Sequence, residues 1–218
     1  IGFTYGKFIA KIKFPAIISK DNVWNGLTCA FWLLYQDESE WNNRRVCEKE
    51  GYIPKSEVGQ TKVRTPSTYY SEIDFEILKT SEFWPATSYK NQYTIPKDDP
   101  KSDRNIIVTC TNWDLACCSP KNFSIGAKEF KDKDNNKFVI HRWDNWYKAL
   151  SIKYATDHDS MFNQPYYYEI DWSPQKICWK IGKTKDDMHL IGYMDNTVTS
   201  IPNNQMIMVF SQEFHDSS

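Results

Sequence analysis

Polar and apolar residues alternate without a break from Tyr69 to Leu78. Ser71, Ile73, Phe75 and Ile77 fall on one side of an extended chain, and Tyr70, Glu72, Asp74, Glu76 and Leu78 on the other. A helix would bring Glu72 and Glu76 together but turn Asp74 away, and the β-branched and aromatic filling favours a strand. Residues 5–15 alternate Phe8, Ala10, Ile12 and Phe14 against Lys7, Ile9, Lys11 and Lys13, which predicts a half-buried strand stopped by Pro15. Residues 27–35 form a nearly continuous apolar run, the pattern of a central strand. Further strands are predicted at 105–110, 149–154, 166–172, 177–181, 188–193 and 205–210. The stretches 36–66 and 79–104 are polar and punctuated by Pro, and read as long loops. Residues 128–137 are charged and suited to solvent, and 138–150 hold the only weak helical period. Short strands separated by turn signals predict an all-β fold, an antiparallel sandwich or jelly roll, with residues 1–218 as one domain.

Composition excludes several function classes. A net charge of −1 gives no electrostatic footprint for nucleic acid or an anionic membrane. No apolar run is long enough for a membrane span. The chain starts without Met and shows no signal peptide, so it reads as a mature or trimmed segment. Six Cys follow no zinc spacing; Cys29, Cys110 and Cys178 lie in apolar runs and are read as buried thiols, with one or two bridges left open. The four His have no catalytic-metal spacing. No metal and no cofactor is expected, although a structural calcium ion in a loop stays open. There is no Gly-rich phosphate loop and no Gly-x-Ser-x-Gly elbow. Asn122-Phe123-Ser124 is a glycosylation sequon of a kind that also arises by chance.

What remains is the acidic row. Three carboxylates on one strand face, with no Lys or Arg among them, repel one another and make an expensive surface. Cleaving a glycosidic bond with retention needs two carboxyl groups about 5–5.5 Å apart, one attacking and one protonating the leaving oxygen. Glu72 and Glu76 stand roughly 13 Å apart at Cα, at about 3.3 Å per residue, and their side chains can close that gap. Asp74 between them would separate their proton affinities. The competing readings are an acidic outer face and a calcium-binding edge. Nine Trp and thirteen Tyr suit either a sandwich core or stacking on sugar rings. Trp24 and Trp113 flank turns and are candidates for stacking, and Asn112 for bonding a sugar hydroxyl or closing an Asx turn. Trp32 lies in an unbroken apolar strand and fits either the core or the cleft floor, with the core favoured; Trp172 is expected to be buried, and Trp179 is ambiguous. Glu169 and Asp171 read as a solvated strand face.

Five stretches, in this order, resemble the retaining glycoside hydrolases of family 16, which include laminarinase- and lichenase-type β-glucanases, agarases, carrageenases and xyloglucan transglycosylases. They are Tyr5-Gly6-Lys7-Phe8-Ile9-Ala10-Lys11-Ile12-Lys13-Phe14-Pro15, Ala30-Phe31-Trp32-Leu33-Leu34, Glu72-Ile73-Asp74-Phe75-Glu76, Tyr168-Glu169-Ile170-Asp171-Trp172-Ser173-Pro174, and Pro202 before Met206-Ile207-Met208. The resemblance implies a concanavalin A-like β-jelly roll with a concave substrate cleft. Glu72 would be the nucleophile, Asp74 its electrostatic helper and Glu76 the general acid/base. It further implies an extracellular or periplasmic endo-hydrolase, a monomer acting on a β-linked polysaccharide of the β-glucan or galactan type by double displacement. The chain departs from the family at Tyr166, where many members carry His and where a further substrate contact is expected, and at Gly182, where an Asp-Gly turn is usual. A transglycosylase and a carbohydrate-binding protein that has lost turnover are the alternatives.

Overall fold

Period-two patterning is realised as strands throughout. The computed structural model describes residues 2–15, 27–36, 70–79, 106–114, 126–142, 149–156, 164–199, 201–203 and 205–214, and every regular element among them is a β-strand. In chain order these are β1 (Gly6–Ile12), β2 (Leu27–Gln36), β3 (Tyr70–Lys79), β4 (Ile106–Asp114), β5 (Gly126–Lys131), β6 (Lys137–Arg142), β7 (Leu150–Thr156), β8 (Tyr166–Trp172), β9 (Lys176–Gly182), β10 (Met188–Asp195) and β11 (Ile207–Phe214). Two antiparallel sheets result. The larger runs β11-β2-β3-β4-β7-β6-β5 and the smaller β1-β8-β9-β10, so strands distant in sequence are neighbours, as in a jelly roll.

The apolar sets predicted from alternation meet between the sheets. Ile73, Phe75 and Ile77 of β3 and Phe31 and Leu33 of β2 are fully buried, as are Tyr168, Ile170 and Trp179 of the small sheet. Phe75 contacts Tyr168 edge-on at 5.6 Å between ring centroids, joining the two sheets. Trp172 is buried as expected and its indole N–H donates to the Pro202 carbonyl at 2.9 Å. Trp179, ambiguous in sequence, is core. Cys29, Cys110 and Cys178 are buried free thiols, and burial raises the pKa of all three. Cys47, Cys117, Cys118, the sequon and almost all of both predicted loops lie outside the described residues.

Residues 128–137 are mostly exposed, as expected, and form most of a hairpin between β5 and β6. Its turn is built on Asp132, whose Oδ1 accepts the amide N–H groups of Asp134 (2.9 Å) and Asn136 (2.8 Å), while Oδ2 accepts the Asn136 side-chain amide at 2.8 Å. Asn135 supplies the left-handed residue (φ 63°) the turn requires. Burial alone would raise the Asp132 carboxyl; the three bonds outweigh it and hold it below its ordinary value. The weak helix at 138–150 is instead β6 and the start of β7, with 143–148 outside the described residues. Glu169 does face away from the core, but it is only 2% exposed, ion-paired to Lys180 at 2.9 Å and to Lys7 at 3.7 Å.

The sheets approach closely at Gly192, beside an irregularity in the β9–β10 ladder between Leu190 and Gly192. A Cβ there would stand 2.9 Å from Cys110 Cβ, 3.0 Å from its Sγ and 3.1 Å from Trp179 Cε3. Gly192→Ala is therefore expected to cost about 1–3 kcal/mol by overpacking. A calorimetric melt checks this, at roughly 2–4 °C per kcal/mol for a chain of this size. An unchanged transition would mean the sheets part freely at this point.

Candidate active site

The acidic row lies on β3, with β2 and β11 on one side of it in the sheet and β4, β7, β6 and β5 on the other. Ser71, Ile73, Phe75 and Ile77 are all 0% exposed and commit one face of β3 to the core. Period two then sends Glu72, Asp74 and Glu76 to the opposite face. Glu72 and Glu76 are half-buried, and Asp74 is 5% exposed.

Register identifies the surroundings of each acid, because directly opposed residues share a face. Glu72 lies between Leu34 of β2 and Trp113 of β4; Asp74 between Trp32 and Thr111; Glu76 between Ala30 and Thr109. The outer carboxylates thus differ in setting. Glu72 has an indole and a leucine for neighbours, whereas Glu76 has two small ones. Beyond β4, Ser151 of β7 stands opposite Thr111, and their hydroxyls are 3.1 Å apart. Lys153 stands opposite Thr109. On the other flank the Trp32 indole donates to Ser211 Oγ at 3.0 Å, and Ser211 Oγ donates to Glu213 Oε1 at 3.2 Å.

Charge is concentrated at the middle of the row. Asp74 is held well above the ordinary carboxylate pKa, first by burial, then by the charges of Glu72 and Glu76, a hydrogen bond to Glu72 and the charge of Glu213. Its Oδ1 has no hydrogen-bond partner. Such a carboxyl keeps its proton and can donate it in the bond to Glu72, leaving Glu72 as the ionised member of the pair. Lys153 is pushed the opposite way, to about 8, by burial, with Glu76 partly restoring it.

Of the residues predicted from sequence, Glu72, Asp74, Glu76 and Trp113 are brought together. Asn112 is not: it is 0% exposed, lies on the core face of β4, and donates through Nδ2 to Thr199 Oγ1 at 3.1 Å. Nor is Tyr166, which is 6% exposed in the hydrophobic core on the inner face of β8. Strand alternation is the reason in both cases, since β4 continues through residue 114 and gives Asn112 and Trp113 opposite faces. Trp24 lies outside the described residues. Trp32, assigned to the core, is instead half-buried on the acid face opposite Asp74.

Lys153, Thr109, Thr111, Ser151, Ser211 and Glu213 were missed. Only the sheet order shows that β4 lies beside β3 and that β7 and β11 lie one strand further out. Among the described residues no group of His, Cys, Asp or Glu is arranged to hold a metal ion.

Several solved structures are similar to this one across nearly its whole length. The kappa-carrageenase of Pseudoalteromonas carrageenovora, solved with an oligotetrasaccharide of kappa-carrageenan, is 16% identical with a TM-score of 0.47 over 99% of this chain and 52% of its own. The kappa-carrageenase zobellia_236 of Zobellia galactanivorans is 14% identical with a TM-score of 0.45, over 99% and 54%. A GH16 protein of Bacteroides ovatus, solved with a G4G4G3G product, is 12% identical with a TM-score of 0.43, over 97% and 56%. This chain spans about half the length of these proteins. No family model and no curated protein matches its sequence.

Proposed function

We propose that the chain is a retaining endo-glycoside hydrolase acting on a β-linked polysaccharide. The observation that carries this reading is the row itself: two half-buried glutamates on one strand face of the large sheet, separated by a buried aspartate whose pKa is raised by burial and by its neighbours. Ionised Glu72 attacks the anomeric carbon as Glu76 protonates the departing glycosidic oxygen. Glu76 then takes a proton from water, which releases the sugar from Glu72. Asp74, donating to Glu72, orients the nucleophile and lets go of that bond as charge moves into the glycosyl ester. Trp113, opposite Glu72, offers its ring to a sugar C–H face.

The substrate is a β-glucan or galactan, and the setting is extracellular or periplasmic, where such polymers are met. No helix among the described residues is long and apolar enough to cross a membrane. The reading is tested by reducing-end release from a panel of β-glucans and galactans. Binding without release would favour a carbohydrate-binding protein, a reading to which Trp32 and Trp113 on the same face lend support. Transfer to a sugar acceptor in place of water would indicate a transglycosylase.

The contribution of Trp113 is measurable separately. In a Glu72→Gln background, where bound sugar is not consumed, Trp113→Ala is expected to weaken oligosaccharide binding about tenfold in calorimetric titration. An unchanged Kd would remove Trp113 from the sugar path.

A further inference from the structure

On the acid face, β2 presents Thr28, Ala30, Trp32 and Leu34, and β4 presents Thr109, Thr111 and Trp113, none of them charged. Among the described side chains of β2, β3, β4 and β7 on this face, Lys153 of β7 is the cation. Thr109 lies directly opposite Glu76 on one side and Lys153 on the other, so one row crosses the sheet from carboxylate to ammonium. At about 4.8 Å per strand the two Cα atoms are roughly 10 Å apart, a span their long side chains can largely close over a small threonine. Thr109 is 4% exposed, so the side chain between the two charges is shielded from bulk solvent.

We infer that Lys153 is a positioning residue for Glu76, its ammonium acting across Thr109 to set the pH at which Glu76 releases its proton. Asp74, Glu72 and Glu213 face Glu76 from its own strand and from β11 beyond β2; of these the ionised Glu72 and Glu213 favour its protonated form, while Asp74 keeps its proton and adds no charge. Lys153 opposes them. On its far side lies His141 of β6, opposite Ser151, whose own pKa is lowered by burial and by Lys153. The effect of Glu76 on Lys153 is reciprocal: Glu76 raises the lysine while burial holds it near 8. The role rests on Glu76 being the acid/base; the coupling between the two groups does not.

Two measurements therefore separate the claims. In the first, the Lys153 side-chain NMR signal, assigned by its loss in Lys153→Met, is titrated in the wild type and in Glu76→Gln. Its midpoint is expected to fall below that of the wild type when the carboxylate is gone. In the second, kcat/KM is followed against pH. A general acid works only while protonated, so Lys153→Met should move the high-pH loss of activity upward by about one pH unit, and Lys153→Arg, which keeps the charge, should restore the wild-type limb. A Lys153 midpoint unmoved by Glu76→Gln overturns the coupling whether or not the protein turns over glycans. A shifted midpoint with identical limbs in Lys153→Met and wild type overturns the role. If no glycan is cleaved, the glycosidase reading fails, and the titration alone still decides the coupling.

Discussion

Glu72→Gln is expected to reduce turnover on the best polysaccharide substrate by on the order of 10⁵-fold, the scale on which removing a catalytic nucleophile acts. The fold should survive, because Glu72 is half-buried beside Leu34 and Trp113 and the amide keeps the side chain's shape. Glu76→Gln should cost less, about 10²–10⁴-fold, since it removes proton transfer and leaves the attacking carboxylate. It should cost least on substrates whose leaving group needs no proton, such as a dinitrophenyl glycoside. Initial rates on polymer and on the activated glycoside check this ordering. Equal losses for both variants on both substrates would contradict the division of roles.

The second large effect concerns stability and activity together. The folded Asp74 carboxyl keeps its proton to a higher pH than it does in the unfolded chain, where about 3.9 is ordinary. Its contribution to stability is therefore fully present below the unfolded value and is lost as pH rises through the folded one. Between the unfolded and folded values the chain must take up a proton at Asp74 on folding, and the fold bears that cost. Asp74→Asn is close in shape and needs no such proton. It is expected to raise stability at pH 7 by about 0.5–2 kcal/mol and to flatten the dependence of Tm on pH. Activity should fall by about 10²-fold because the bond to Glu72 can no longer follow the charge. Melts from about pH 4 to 8 test the sign. An Asp74→Asn protein less stable than wild type at pH 7, or with the same pH slope, would place the destabilising charge elsewhere.

Much of this was legible before any coordinates. Uninterrupted alternation fixed β3 and the orientation of its acids, because a single step of register would have buried three carboxylates in place of Ser71, Ile73, Phe75 and Ile77. The apolar run at β2 located a central strand but hid the orientation of Trp32, since a continuous apolar stretch carries no period from which to read its two faces. Asn112 was misread for a different reason: Asn before Trp suggested a turn, and strand pairing with β3 and β7 carried β4 onward past it. The β5–β6 hairpin escaped notice because an edge strand has little apolar signal, and its turn is encoded by Asp132 and Asn135 without glycine. Lys153 and Glu213 could not have been placed from sequence at all. Both lie on strands remote in the chain, β7 and β11, which the sheet order places one strand away from β3 across β4 and β2.

The most direct measurement follows the anomeric proton signals of the first product by NMR, using a β-linked glucan or galactan and freshly added protein. Displacement through an ester on Glu72 predicts that the new reducing end emerges as the β-anomer and reaches the equilibrium mixture only afterwards. Initial release of the α-anomer, or glycan bound with no new reducing end, would contradict the account.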